Sequence, residues 1–212
     1  MVVWSLAMDD RAGGLAVAAR HTPPGAFPSF RRHCNGSNDM SARTTTVVFM
    51  GVCGSGKTTI AKLFAQRVGW PFAEADDFHS AANVAKMASG TPLTDDDRWP
   101  WLRSLRDWIS KEATAGHNVV MTCSALKKAY RDILREANSD VYFIELTGSR
   151  EVLMARLTSR KDHYMPAKLL DSQLAILESI DDEPGFIVDI DHTASEVVDN
   201  AIALLKLPVV SE

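Results

Sequence analysis

From residue 44 onward the chain alternates between two hydrophobic rhythms. Short β-branched and apolar runs at 44–50, 72–74, 118–123, 141–146 and 186–190 read as buried strands. Between them lie stretches with helical spacing of apolar positions. These are 59–68, stopped by Gly69, then 81–88, closed by Gly90, and 99–115, where Trp101, Leu102, Leu105, Trp108 and Ile109 share a face and Gly116 ends the helix. A basic amphipathic helix is expected over 126–137, and further helices over 150–160, 167–180 and 194–205. Repeated strand–helix units predict an α/β fold, with a five-stranded parallel sheet flanked by helices on both faces and right-handed crossovers. No internal repeat or low-complexity tract interrupts the pattern.

Residues 1–42 do not share it. They hold Gly13-Gly14, Pro23-Pro24, Gly25, Pro28 and Arg31-Arg32 without sustained periodicity, and mix Arg20, Arg31 and Arg32 with Asp9, Asp10 and Asp39. An organelle transit peptide is Arg-rich and poor in acids, so the fit is partial, and a secretory signal fits worse. The favoured expectation is an N-terminal extension that is disordered or not native, with Met40 as an alternative start. Residues 43–212 would then form one domain.

Between the first strand and the first helix stands Gly51-Val52-Cys53-Gly54-Ser55-Gly56-Lys57-Thr58. Glycines at its first and sixth positions, followed by Lys and Thr, match the phosphate-binding loop pattern. Strand, glycine loop and helix is the context that separates this motif from a chance glycine turn. Glycines let backbone N–H groups face phosphate oxygens, and the helix N-terminus adds partial positive charge. The nucleotide-binding set is thus Gly51, Gly54, Ser55, Gly56, Lys57, Thr58 and Thr59. Lys57 is expected to reach the β- and γ-phosphates of ATP, and the Thr58 hydroxyl to ligate Mg²⁺.

Composition narrows the partners. A net charge of −4 over 212 residues, with no basic stripe, argues against nucleic-acid binding. No apolar run approaches the ~20 residues that span a bilayer, so no membrane role is expected. Three cysteines, Cys34, Cys53 and Cys123, lack metal-ligand spacing, and an unpaired count suits a reducing, cytoplasmic compartment.

Three further clusters bear on the chemistry. Glu74-Ala75-Asp76-Asp77-Phe78-His79 ends the second strand, where ligands collect in open α/β sheets. Transfer of a phosphoryl group to an alcohol needs a carboxylate to orient the hydroxyl and take its proton. Asp76 is the candidate and His79 a candidate acceptor ligand, although an exposed acidic turn would look the same. In the run from Lys86 to Trp101, a helix N-cap explains some of Asp95, Asp96 and Asp97. It explains Arg98 poorly, since a cation in a first turn is disfavoured, whereas an anionic acceptor would use one. Arg156 and Arg160 stand one helical turn apart before Lys161-Asp162-His163-Tyr164-Met165-Pro166. That suits a mobile lid over ATP around 156–168, and equally a solvated basic helix end.

Taken in order, these clusters resemble the gluconokinases of the P-loop type, from about Thr45 to the final helix. The segments that carry the resemblance are the glycine loop, Asp76-x-x-His79, the run from Lys86 to Arg98, Cys123-Ser124-Ala125-Leu126-Lys127-Lys128-x-Tyr130-Arg131-Asp132, and Arg156, Arg160 and His163. Ala75 stands where the family usually has Gly, and Asp162 replaces the usual Gly before His163. The resemblance implies a nucleoside-monophosphate-kinase-like P-loop NTPase fold with a small lid, often as a homodimer. It implies transfer of the ATP γ-phosphoryl to the terminal hydroxyl of D-gluconate, with ATP and Mg²⁺ as cofactors.

Under it Asp76, Lys57 and Arg160 are catalytic. Arg156 and Arg160 resemble lid arginines, one near the adenine and one near the transferred phosphate. Arg98 pairs with the acceptor carboxylate, His79 and Gln173 meet acceptor hydroxyls, and Lys127 and Arg131 add charge around acceptor or phosphate. Ser124 stands behind Mg²⁺ and its water. A shikimate kinase would show a Gly-Gly-Gly run where Thr122-Cys123-Ser124-Ala125 stands, and a nucleotide kinase would carry a longer base-recognition region instead of Asp95–Arg98. A non-catalytic nucleotide-binding regulator would keep Lys57 but has no use for Asp76, Arg156 and Arg160.

Overall fold

The computed structural model describes residues 43–158 and 167–209, with side chains of 167 and 168 left aside. The chain divides into two units, Met1–Asn38 and Asp39–Glu212, and the described residues all belong to the second. The expected N-terminal extension and the lid positions 159–166, Arg160 and His163 among them, lie outside the described residues.

Five strands, β1 (Thr45–Met50), β2 (Phe72–Glu74), β3 (Val119–Thr122), β4 (Asp140–Thr147) and β5 (Gly185–Asp189), form one parallel sheet in the order β2-β3-β1-β4-β5. The glycine loop therefore leaves the central strand. Strand β1 shows why an all-apolar run was needed. Val47 and Phe49 point into one core, Val48 and Met50 into another, because successive side chains alternate across a pleated strand.

Helices α1 (Lys57–Val68) and α7 (Ala194–Leu205) supply Phe64, Val197, Val198 and Ile202 to the first core. Helices α3 (Asp95–Thr114) and α4 (Lys128–Arg135) supply Leu102, Leu105, Ile109, Tyr130 and Leu134 to the second. A parallel sheet buried on both faces follows.

The remaining helices are α2 (Ala81–Ala88), α5 (Arg150–Thr158) and α6 (Ala167–Ile176). Residues Ala75–Phe78 form a single 3₁₀ turn directly after β2. Three boundaries differ from the periodicity for physical reasons. Helix α3 starts at Asp95, four residues before the expected start at 99, because Thr94 and Asp97 form a capping box and the three acids of its first turn favour the dipole. Helix α4 starts at Lys128, since Leu126 is spent on the core and its carbonyl accepts from Glu178 N. Helix α6 stops at Ile176, and the strap 177–184 crosses to β5 instead.

That strap is fastened by polar groups. Lys128 N donates to the Glu178 carboxylate, and Ile180 N donates to Glu145 Oε2 at 3.2 Å. The Glu183 carboxylate receives both Arg131 and Arg135.

Candidate active site

At the C-terminal end of β1 the loop turns back over the sheet. Gly51 N donates to Ser124 O at 3.3 Å, which ties the loop to the segment just after β3. Gly54 has φ +83°, and a Cβ there would lie 2.8 Å from the Leu153 carbonyl oxygen, so the loop is seated directly on α5. Gly54→Ala is expected to lower stability and loosen nucleotide binding by at least about 1 kcal/mol, since left-handed backbone alone costs other residues roughly that much. Thermal unfolding with and without ATP reads both effects.

Lys57 Nζ folds back to donate to Gly51 O at 3.1 Å and Val52 O at 3.0 Å. Burial pulls its amine below the ordinary lysine value, with Asp76 the main opposing influence. The Thr58 hydroxyl donates to Glu74 Oε2 at 2.8 Å, and the Thr122 hydroxyl donates to the other Glu74 oxygen. Glu74 was passed over in the sequence. Its signal was the alternate spacing Glu74-x-Asp76 at a strand end, which points two carboxylates into one cleft across a tight turn. Among the described residues no group of three or more His, Cys, Asp or Glu side chains is arranged to hold a metal by itself.

Asp76 sits in the 3₁₀ turn with its side chain 83 % exposed to the cleft. Loss of hydration against the cleft walls raises its pKa, Lys57 opposes this, and Asp77 adds to it. With so much of the carboxylate still open to water, the shift carries little energy until the cleft is filled. His79 Nε2 lies 4.0 Å from Asp76 Oδ1, while its side chain is only 5 % exposed. The imidazole stacks on Trp101 at 4.3 Å between centroids and 16° between planes. Burial first, and Arg98 second, lower its pKa, so the ring is held neutral. Trp101 Nε1 in turn donates to Ala75 O at 2.8 Å, which pins the turn that carries Asp76 to α3.

A second cluster lies between the first turn of α3 and the start of α4. The Asp95 carboxylate receives Lys127 Nζ at 2.7 and 3.0 Å and the Tyr130 hydroxyl at 2.5 Å. Arg98 Nη1 stands 3.7 Å from Asp95 and donates to the Tyr130 hydroxyl at 3.2 Å. The neighbouring Asp97 is the capping residue, held to Lys86 at 2.5 Å and to Thr94, which keeps its pKa down at about 2. The acidic run thus divides by role, Asp97 to the helix start and Asp95 to this cluster.

The structure brings Lys57, Thr58 and Asp76 to one strand-end cleft, with His79 behind Asp76, and Arg98 close enough to depress the His79 pKa. Arg156 joins the nucleotide side. Its Nη2 donates to Ile190 O at 2.5 Å, and a Cβ at Gly56 would lie 3.6 Å from its Nη1.

Two expected acceptor residues are placed elsewhere. Gln173 Oε1 accepts from Cys53 N at 2.6 Å, so α6 touches the phosphate loop rather than an acceptor pocket. Arg131 is fully buried, donating to Glu183 and to Ala125 O. Its expected place came from the family resemblance, and no local pattern marks its distant partner. Arg160 lies outside the described residues. Cys123 is sealed, its thiol pushed up to about 12 by burial, and has no nucleophilic character.

A family profile described as an AAA domain matches residues 47–180. The gluconokinase of Gluconobacter oxydans is 49 % identical over 146 residues, covering 68 % of this chain and 82 % of that protein. Among solved structures, an unliganded sugar kinase from a Janibacter species superposes with a TM-score of 0.73 at 50 % identity, over 77 % of this chain and 95 % of the other. A gluconokinase from Sinorhizobium meliloti gives 0.70 at 40 % identity, over 78 % and 94 %.

Proposed function

The chain belongs to the gluconokinase family, and from that membership we infer which of its residues carry each part of the reaction. It is an ATP-dependent kinase that phosphorylates D-gluconate to 6-phospho-D-gluconate. The observation that supports the residue assignment best is the link from Thr58 through Glu74 to the Asp76 turn, which sets the phosphate loop and a carboxylate at one strand-end cleft.

In this reading the backbone N–H groups of residues 54–58 and the α1 N-terminus hold the phosphates. Lys57 turns from the carbonyls of Gly51 and Val52 onto the β- and γ-phosphates, and binding of those anions restores the charge that burial disfavours. Asp76 orients the terminal hydroxyl of gluconate and takes its proton as the oxygen bonds to the γ-phosphorus and the bond to ADP breaks. Arg98 and Lys127 receive the gluconate carboxylate, and Arg156 stands on the nucleotide side.

His79 Nε2 stands 4.0 Å from Asp76 Oδ1, beyond hydrogen-bond reach, and its Nδ1 is buried without a partner, so the ring keeps a donor or acceptor to offer an acceptor hydroxyl. The donors near Thr58 are hard oxygens, the Thr58 hydroxyl and the Glu74 and Asp76 carboxylates, which suits Mg²⁺. Bound there, Mg²⁺ neutralises charge on the β- and γ-phosphates. Glu74 accepts the hydrogen bond of the Thr58 hydroxyl, which leaves the hydroxyl lone pairs free for the ion. A cytoplasmic enzyme that works as a homodimer fits the use of ATP and the family resemblance. No helix among the described residues is long and apolar enough to cross a membrane.

The deciding experiment is an ATP- and Mg²⁺-dependent assay in which product is read by coupled oxidation of 6-phosphogluconate, with shikimate, glycerate and AMP alongside. Turnover with gluconate alone is expected. Turnover with another acceptor and none with gluconate would overturn the substrate assignment.

A further inference from the structure

Nothing in helix capping requires two donors and a third cation around Asp95. Thr94 and Asp97 already cap α3, yet Lys127, Tyr130 and Arg98 all converge on the Asp95 carboxylate. The group that organises them is Tyr130. Its ring is buried, packed edge-on against Trp99 at 5.4 Å, and it carries Arg98 at 5.7 Å and Lys127 at 5.4 Å from its centroid. One hydroxyl gives its proton to Asp95 and accepts one from Arg98.

The cations are thereby fixed around a rigid ring, with an anion already between them. All three charged side chains remain open to the cleft, 27 % for Arg98, 30 % for Lys127 and 42 % for Asp95, unlike the sealed Arg131–Glu183 pair. A small ligand can reach them. Within the cluster itself two cations and one carboxylate leave one net positive charge, Asp97 being matched by Lys86, His79 held neutral, and Asp96 of the same turn exposed to solvent.

We propose that Asp95 is a specificity-determining residue, a resident carboxylate that occupies the anion site of the empty enzyme and limits the bound acceptor to a single negative charge. The proposal rests on the assignment of Arg98 and Lys127 to the acceptor carboxylate. When a monocarboxylate enters, it takes donors from Asp95 without leaving an uncompensated charge. A neutral polyol gains nothing from the net positive charge, and a dianion meets Asp95 with its second charge unpaired. The same carboxylate keeps the cations arranged when the site is empty and returns to them as the product leaves.

The test is a charge series of acceptors with a common polyol chain, at saturating ATP. D-glucitol is neutral, D-gluconate is monoanionic, and D-glucitol 1-phosphate presents a dianion at the end where gluconate has its carboxylate. Asp95→Asn removes the charge and keeps one acceptor oxygen for Tyr130 and Lys127, giving up the second bond from Lys127. Its KM for gluconate is expected to fall by ~3–10-fold, the size of one like charge several Å away in a half-open site. Use of glucitol should be unchanged, and the dianion should gain more than gluconate. Asp95→Ser is run beside it, and both are checked for unchanged thermal unfolding.

Equal changes for all three acceptors, or weaker gluconate binding in both variants, would overturn the proposal. Arg98→Gln separates the two levels of the argument. If it flattens the charge series while the Asp95 variants do not alter it, the proposal alone fails. If Arg98→Gln leaves the series intact, the acceptor carboxylate is bound elsewhere and the assignment beneath the proposal fails with it.

Discussion

Asp76→Asn is expected to lower kcat by about 10²–10⁴-fold, the usual range for removing a positioned general base, while the KM for ATP stays within about twofold. Asparagine keeps the shape and one acceptor oxygen but cannot take the proton of the attacking hydroxyl. A structural role would not alter the pH dependence, whereas this one does. In the free enzyme loss of hydration moves the Asp76 pKa upward, against the pull of Lys57, and only slightly while the side chain stays 83 % exposed. The base works deprotonated, so kcat/KM rises with pH through that raised value. Lys57 works protonated and titrates below its ordinary range, so the alkaline limb comes in early. The profile is narrower than unperturbed side chains would give, and Asp76→Asn removes its acid limb alone. An acid limb that survives in the variant would assign the base to another group.

The second large effect is on stability. Glu183→Ala is expected to cost about 3–5 kcal/mol, the range for breaking a buried ion pair from one side, and hence to lower Tm by roughly 6–20 °C for a domain of this size. Arg131 is fully buried and Glu183 is 7 % exposed, so the truncated side chain strands a guanidinium without water to replace its partner. Arg135 loses its nearer carboxylate and keeps only Asp132 at 3.5 Å, while its Nε and Nη2 are already buried without partners. The exposed Arg150–Asp171 pair is the control, and Asp171→Ala there should cost under about 1 kcal/mol.

The pH dependence has a definite sign. Burial works to raise the Glu183 pKa, but hydrogen bonds from Arg131 and Arg135 outweigh it and hold the value below normal. The contribution is therefore complete above the ordinary glutamate pKa and is lost as pH falls through the depressed one. Chemical denaturation at neutral and acid pH measures both statements.

How much of this was legible in the chain depended on whether a feature is local. The β1–loop–α1 unit was plain, since a glycine pattern, a Lys-Thr pair and a change of hydrophobic period all fall within a short window. Helix α7 was read to its ends because apolar spacing and boundary signals agree there. The start of α3 was missed because its first turn is all polar, and only the Thr94–Asp97 box reveals it. Arg131 and Gln173 show a different limit. The resemblance implied a ligand for each, but their partners Glu183 and Cys53 N are 52 and 120 positions away, and nothing periodic encodes that. Glu74 was hidden because its work is done through Thr58 and Thr122, two hydroxyls that become its neighbours only when β2, β3 and α1 come together.

The place of β1 in the sheet has a further consequence. It is flanked by β3 and β4 along its length and covered on both faces, so its amides open to solvent only when the whole domain does. The phosphate loop is a direct continuation of that strand. Helix α2 is held to the body by Asn83 and Lys86 reaching Asp97, and leaves Val84 and Met87 exposed, which is the signature of a segment that opens by itself. The two halves of the cleft thus belong to different cooperative units. Mild heat or denaturant reaches a state in which the nucleotide platform is intact while the ground beside the acceptor has already come loose.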